Sequence, residues 1–91
     1  MNWEPYASPN RGETIAFAMP LTKAVKTKVV FYEPDGNWYA VLIVAGRRVT
    51  DYAKATSEED AKVRAVEQAR AFARQLMAAL DEVELVGMDA A

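Results

Sequence analysis

The sequence predicts an α+β domain: a three- to four-stranded antiparallel meander sheet with one long C-terminal α-helix packed on one face. Three observations lead there. Runs rich in β-branched and aromatic residues at 26–33, 38–44 and 47–53 are separated only by Pro34-Asp35-Gly36 and Ala45-Gly46, a spacing that reads as consecutive hairpins. Thr56-Ser57-Glu58-Glu59 then supplies a helix-capping signature. From Ala61 onward apolar residues recur every three or four positions, the period of a helix with one buried face. At 91 residues, 52% hydrophobic and 26% charged, the chain has room and composition for one ordinary globular core.

Residues 1–13 hold Pro5, Ser8, Pro9, Asn10 and Gly12 and are expected to form an irregular arm. Trp3 and Tyr6 are large for a solvated arm, so it is expected to dock. Residues 14–86 form the single domain. Its first strand alternates Ile15, Phe17 and Met19 with Ala16 and Ala18, and Pro20 confines the strand's far end to an edge. Three strands then follow the hairpin signals. In the helix, acids crowd the first turn, and Glu58/Lys62 and Asp60/Arg64 stand four apart in the favourable order. Ala61, Ala65, Ala69, Phe72, Leu76 and Leu80 make one stripe, whose alanine half allows close approach to a sheet and whose bulky half should fill the core. Gly87 is read as the stop, leaving residues 87–91 as an acidic tail.

Turn chemistry sets a register to test. With Pro34-Asp35-Gly36 as a three-residue loop, Glu33 pairs with Asn37 and Phe31 with Tyr39; with Ala45-Gly46 as a two-residue loop, Val44 pairs with Arg47 and Tyr39 with Tyr52. One face then shows Val30, Tyr32, Trp38, Ala40, Leu42, Val44, Val49 and Ala53, and is assigned to the helix. The other shows Val29, Phe31, Tyr39, Val41, Ile43, Tyr52, Arg48 and Thr50. A bare apolar face of that size marks a contact. The N-terminal strand, a second subunit forming a homodimer, or single-stranded nucleic acid stacked on Phe31, Tyr39 and Tyr52 would each cover it.

The chain lacks both histidine and cysteine. That removes the commonest general base, thiolate nucleophiles, disulfides and the usual zinc ligands. The two serines, Ser8 and Ser57, lie in a turn-rich arm and at a helix cap. No glycine-rich phosphate loop occurs, and Asp81, Glu82, Glu84 and Asp89 lack calcium-loop spacing. The protein is therefore expected not to be an enzyme and to use no metal or cofactor. No apolar run approaches the roughly 18 to 20 residues of a membrane helix, and no secretory signal pattern is present. The net charge of −2 is segregated: residues 21–55 are net positive, whereas residues 81–91 carry four acids and no base. A duplex-DNA binder usually carries a clearly positive total.

The stretch from Asp35-Gly36-Asn37-Trp38-Tyr39-Ala40-Val41 through Ala55-Thr56-Ser57-Glu58-Glu59-Asp60-Ala61 is similar to the HicB-type antitoxin half-domain, without that family's Pro-Gly-Cys stretch. Val44-Ala45-Gly46-Arg47-Arg48-Val49 resembles the hairpin of integrase arm-binding domains, whose strands lie against DNA. Both likenesses imply a β-β-β-α arrangement. The compact, acidic, alanine-rich character resembles small phage proteins that inhibit bacterial defences, including anti-CRISPR proteins. That resemblance implies a protein- or nucleoprotein-binding inhibitor in the cytoplasm of a bacterial host cell. The expected partner contacts are Trp3, Tyr6, Phe31, Tyr39, Tyr52, Arg47 and Arg48, with Asp81, Glu82 and Glu84 of the tail. The alternative is a nucleic-acid module using Lys26, Lys28, Arg48, Tyr39 and Tyr52.

Overall fold

The computed structural model describes residues 2–90, with side chains described through Val83. A six-stranded antiparallel sheet carries one long helix across a face. The strands are β1 (Glu4–Pro5), β2 (Glu13–Pro20), β3 (Val25–Tyr32), β4 (Asn37–Val44), β5 (Arg47–Arg48) and β6 (Ala53–Ala55), followed by α1 (Glu58–Ala90). The spatial order is β1-β2-β3-β4, and β4 is flanked on its outer side first by β5 and then by β6. The architecture is the α+β meander expected, with more strands than expected. Two residues of the presumed irregular arm add an edge strand to β2, and the third hairpin strand is split in two.

The β3–β4 register differs by one residue from the turn-based expectation. Tyr32, not Glu33, pairs with Asn37, so the loop has four residues, 33–36. The Gly36 N–H donates to the Tyr32 carbonyl at 2.9 Å, and Gly36 takes a φ of +70° that a side chain disfavours. Asp35 accepts the Asn37 N–H at 2.9 Å, which sets the exit of the turn. One residue of slip exchanges the faces of one strand relative to the other. Phe31 thus joins Trp38 on the helix side, with ring centroids 5.5 Å apart, and Tyr32 joins Tyr39 on the opposite side.

The Ala45-Gly46 turn is as expected, with both residues at positive φ and Val44 paired with Arg47. Beyond Arg48 the ladder breaks. Ala53, not Asp51, pairs with Ala40, so residues 49–52 bulge out with two more residues than a continuous strand would need. The bulge is tied down at both ends. The Leu42 N–H donates to the Thr50 hydroxyl at 3.0 Å, and Gln68 of the helix donates through Nε2 to the carbonyls of Ala40 and Asp51 at 3.2 and 3.1 Å. Val49, expected in the core, is exposed for this reason.

The helix begins as its cap dictates, one residue later than Thr56. Ser57 accepts the Asp60 N–H at 3.1 Å, while the Asp60 carboxylate accepts the Thr56 N–H at 3.1 Å. Both expected pairs form: Lys62–Glu58 at 2.8 Å and Arg64–Asp60 at 3.2 Å. Ala61 and Ala65 are fully buried against Val29, Ala40 and Ala55, where their lack of bulk lets the helix axis lie close to the sheet. The bulky half of the stripe does not fill the core. At about 1.5 Å per residue the 33-residue helix is roughly 50 Å long, whereas an eight-residue strand spans only about 26 Å. The helix therefore outruns the sheet, continuing through Gly87 to Ala90 and giving the molecule extents of 54 × 23 × 22 Å. Leu76 and Leu80 are exposed. No helix among the described residues is long and apolar enough to cross a membrane.

Candidate binding face

The sheet face away from the helix is not bare. Side chains of the segment that joins β1 to β2 cover part of it. Tyr6 lies over Lys26, with the ammonium 4.4 Å from the ring centroid, and Lys28 is 5.3 Å from the same ring. Lys28 is buried in the middle of the sheet, an unusual position for a lysine. Its ammonium lies 3.1 Å from a Glu13 carboxylate oxygen and 3.3 Å from the Ser8 hydroxyl, and Ser8 donates to the same Glu13 oxygen. The two charged side chains are 3% and 8% exposed, so each has exchanged water for the other. Val30, Val41, Ala16 and Ala18 complete this inner layer.

Toward the β3–β4 turn the cover ends and a groove of about 630 Å³ opens. Val30 lies in its lining beside three tyrosines, Tyr32, Tyr39 and Tyr52. Their rings meet edge to face: Tyr32 and Tyr39 at 6.5 Å and 78°, Tyr39 and Tyr52 at 6.3 Å and 89°. Each tyrosine is placed by a different device. The four-residue loop turns Tyr32 onto this face, strand alternation brings Tyr39 from β4, and the 49–52 bulge carries Tyr52 in from the edge. Gly12 is required beneath Tyr32: it has a φ of +90°, and a Cβ there would stand 2.6 Å from Tyr32 Cε1.

Charge in the groove is mixed. The Arg48 guanidinium stacks 5.2 Å from the Tyr52 ring centroid and reaches Asp51 at 4.0 Å, both largely in solvent. Asp35 and Glu13 supply the opposing carboxylates. The Tyr39 hydroxyl donates to Asp35. That bond holds the Asp35 carboxyl below its ordinary 3.8, because it stabilises the anion, and raises the Tyr39 phenol above its ordinary 10, because the neutral phenol is the donor.

The residues singled out in the sequence divide accordingly. Tyr39, Tyr52 and Arg48 meet in this groove. Tyr6 lies on the same face but is spent on the two lysines. Phe31 belongs to the helix side by the register shift. Trp3 also leaves the binding list: it packs against the helix-side core, with Lys62 5.6 Å above its ring, because successive residues of an extended arm point to opposite faces. Arg47, paired with Val44, faces away from Arg48. Lys28 is sequestered by Glu13, and Lys26 lies beneath Tyr6. Asp81 and Glu82 are exposed on the helix beyond the sheet, and the Glu84 side chain lies outside the described residues. Tyr32, Asp35 and Asn10 line the groove without having been singled out. Among the described residues no group of three acidic side chains is placed to hold a metal ion. Comparison with family models, curated proteins and solved structures finds no match for this chain.

Proposed function

We propose that the protein acts by binding rather than catalysis, seating a segment of a partner protein in the tyrosine groove and so occupying that partner's surface. The observation that carries this reading is the edge-to-face row Tyr32–Tyr39–Tyr52 closed by Arg48 around a groove of about 630 Å³. Tyrosine and arginine dominate the energetics of protein recognition, because each offers large area with few rotatable bonds and a polar end. The balance of Arg48 against Asp35 suits a polypeptide, which brings both signs and backbone amides. It suits a polyanion less well, since Lys28 is neutralised internally. Both serines are committed to structure, Ser8 to the Lys28–Glu13 pair and Ser57 to the helix cap, which supports a non-catalytic role. The resemblance to phage-encoded defence inhibitors makes a larger protein or nucleoprotein assembly the partner class.

Affinity capture from the native host, with and without nuclease, tests this. The expected result is a stoichiometric protein partner that survives nuclease and is lost with Tyr52→Ala or Tyr39→Ala. Nucleic acid in the eluate, with binding that falls steeply with salt and vanishes in Arg48→Glu, would replace this reading with nucleic-acid recognition.

A further inference from the structure

Gln68 reaches from the helix past the core to the edge of the sheet. Its Nε2 donates to the Ala40 carbonyl at 3.2 Å and to the Asp51 carbonyl at 3.1 Å. These two acceptors fix which end of the carboxamide faces the strand, and Oε1 is left buried without a donor among the described residues. The side chain serves the strand as a donor alone. Ala40 and Asp51 are the residues that an unbroken strand running on from Arg48 would pair, whereas Ala40 pairs with Ala53. The carboxamide therefore keeps the Asp51 backbone at the sheet edge without pairing it. We propose that Gln68 is a positioning residue for the tyrosine groove, acting through the 49–52 bulge to hold Tyr52 as the groove's outer wall. The consequence for partner binding rests on the groove being the binding site; the positioning of Tyr52 does not.

The link from Gln68 to the ring is short. The Asp51 carbonyl and the Tyr52 N–H belong to one planar peptide unit. Fixing that carbonyl fixes the plane from which Tyr52 departs. The Tyr52 ring itself meets only the edge-to-face contact with Tyr39 at 6.3 Å and the Arg48 guanidinium at 5.2 Å, and the residue is 39% exposed. A rim ring with so few contacts takes its place from the backbone. The front of the bulge is held by Val49, which donates to the Leu42 carbonyl, and by Thr50, which accepts the Leu42 N–H, each at 3.0 Å. The rear is held by β6, and Gln68 holds the peptide between them. Gln68 lies on the helix side of the sheet and lines none of the groove, so it reaches a bound segment only through the bulge. Without its donors the Asp51–Tyr52 peptide is free to turn toward solvent, or the strand to pair without a break. The second course would set Tyr52 across from Tyr39, where Lys54 now stands. Either course takes Tyr52 off the rim.

Gln68→Glu keeps the shape of the side chain and removes both donors. Proton NMR of the full chain reads the result without any partner. The wild type is expected to show Tyr52 ring signals displaced by the Tyr39 ring, and the close Hα–Hα contact of a non-hydrogen-bonded pair between Tyr39 and Lys54. In Gln68→Glu the Tyr52 ring signals should move to those of a free tyrosine, or the Hα contact should pass from Lys54 to Tyr52, with the circular dichroism of the folded chain kept. Gln68→Met removes the donors without adding a charge and should do the same, which covers a Glu variant that fails to fold. Tyr52 ring signals and a Tyr39–Lys54 contact unchanged in the folded variants would overturn the proposal. Capture of the host protein retained by the wild type should fall about 3- to 10-fold in Gln68→Glu, the cost of ordering one side chain and its loop on binding, and further in Tyr52→Ala. The double variant should bind no more weakly than Tyr52→Ala alone, because nothing is then left to position. Losses that add would overturn the claim that Gln68 acts through Tyr52. Capture indifferent to Tyr52→Ala would overturn the groove as the binding site, while displaced ring signals in Gln68→Glu would uphold the positioning.

Discussion

The helix side of the sheet is closed by small apolar residues at close range: Ala61 and Ala65 meet Val29, Ala40 and Ala55. The opposite side is partly covered by the Tyr6 and Ser8 side chains, and its centre holds an ammonium and a carboxylate 3.1 Å apart. The first arrangement depends on volume, the second on charge balance. The difference shows how one sheet keeps both faces occupied with a single helix. The covered part of the second face is satisfied by ion pairing, and only the tyrosine end is left open to a ligand.

Breaking the charge balance should have the largest effect. Lys28→Met leaves the Glu13 carboxylate buried without its partner and should cost about 3–5 kcal/mol in denaturant unfolding. Adding Glu13→Gln should recover much of that loss, which a purely steric role for Lys28 would not allow. On the other face, Ala65→Leu adds volume where none is free and should cost about 1–3 kcal/mol while leaving partner binding at the tyrosine groove intact. Gly12→Ala joins the two kinds of change. The left-handed backbone should cost about 1–2 kcal/mol, and displacement of Tyr32 should weaken partner capture as well.

The open end of the second face is sharpened by pH. The Tyr39 phenol is raised by its bond to Asp35, so this contribution to stability is complete below pH 10 and is lost as pH rises through the folded-state value. Asp35 is lowered by the same bond, so its contribution is present above its ordinary 3.8 and is lost as pH falls through its folded-state value. Ultraviolet titration should show Tyr39 ionising late, and Asp35→Asn should return it toward 10. The smallest expected effect is at Ala45, which holds a φ of +52° without being glycine. Ala45→Gly should stabilise by less than about 1 kcal/mol, visible as a small rise in Tm.

Much of the fold is legible in local chemistry. Ala45-Gly46 specifies a two-residue turn and the first two β4–β5 pairs, and the acids before Lys62 and Arg64 specify the helix start and its ion pairs. The slip at the other hairpin came from a loop whose proline and glycine suit three residues or four. A signal against the three-residue choice was present. It places Lys26 and Lys28 on the face assigned to the helix, beside Trp38 and Leu42, where two lysines have no partner. The four-residue loop moves both to the far side, next to Glu13. The same slip decides the site, since it exchanges Phe31 for Tyr32 beside Tyr39. The bulge at 49–52 had no comparable signal, because it is held by Thr50 and by Gln68, seventeen residues downstream of Asp51.

The sequence by itself determined the α+β class, the order of the long strands and the helix, the helix start to within one residue and the absence of thiol and imidazole side chains, because these follow from residue type and near-neighbour spacing. Tertiary structure alone decided which aromatic residues share a face, that Lys28 is a buried ion-pair partner, and that Leu76 and Leu80 miss the core. Those outcomes depend on loop length, on a side chain arriving from a distant strand, and on the sheet being shorter than the helix laid across it, and none of these is encoded in local periodicity.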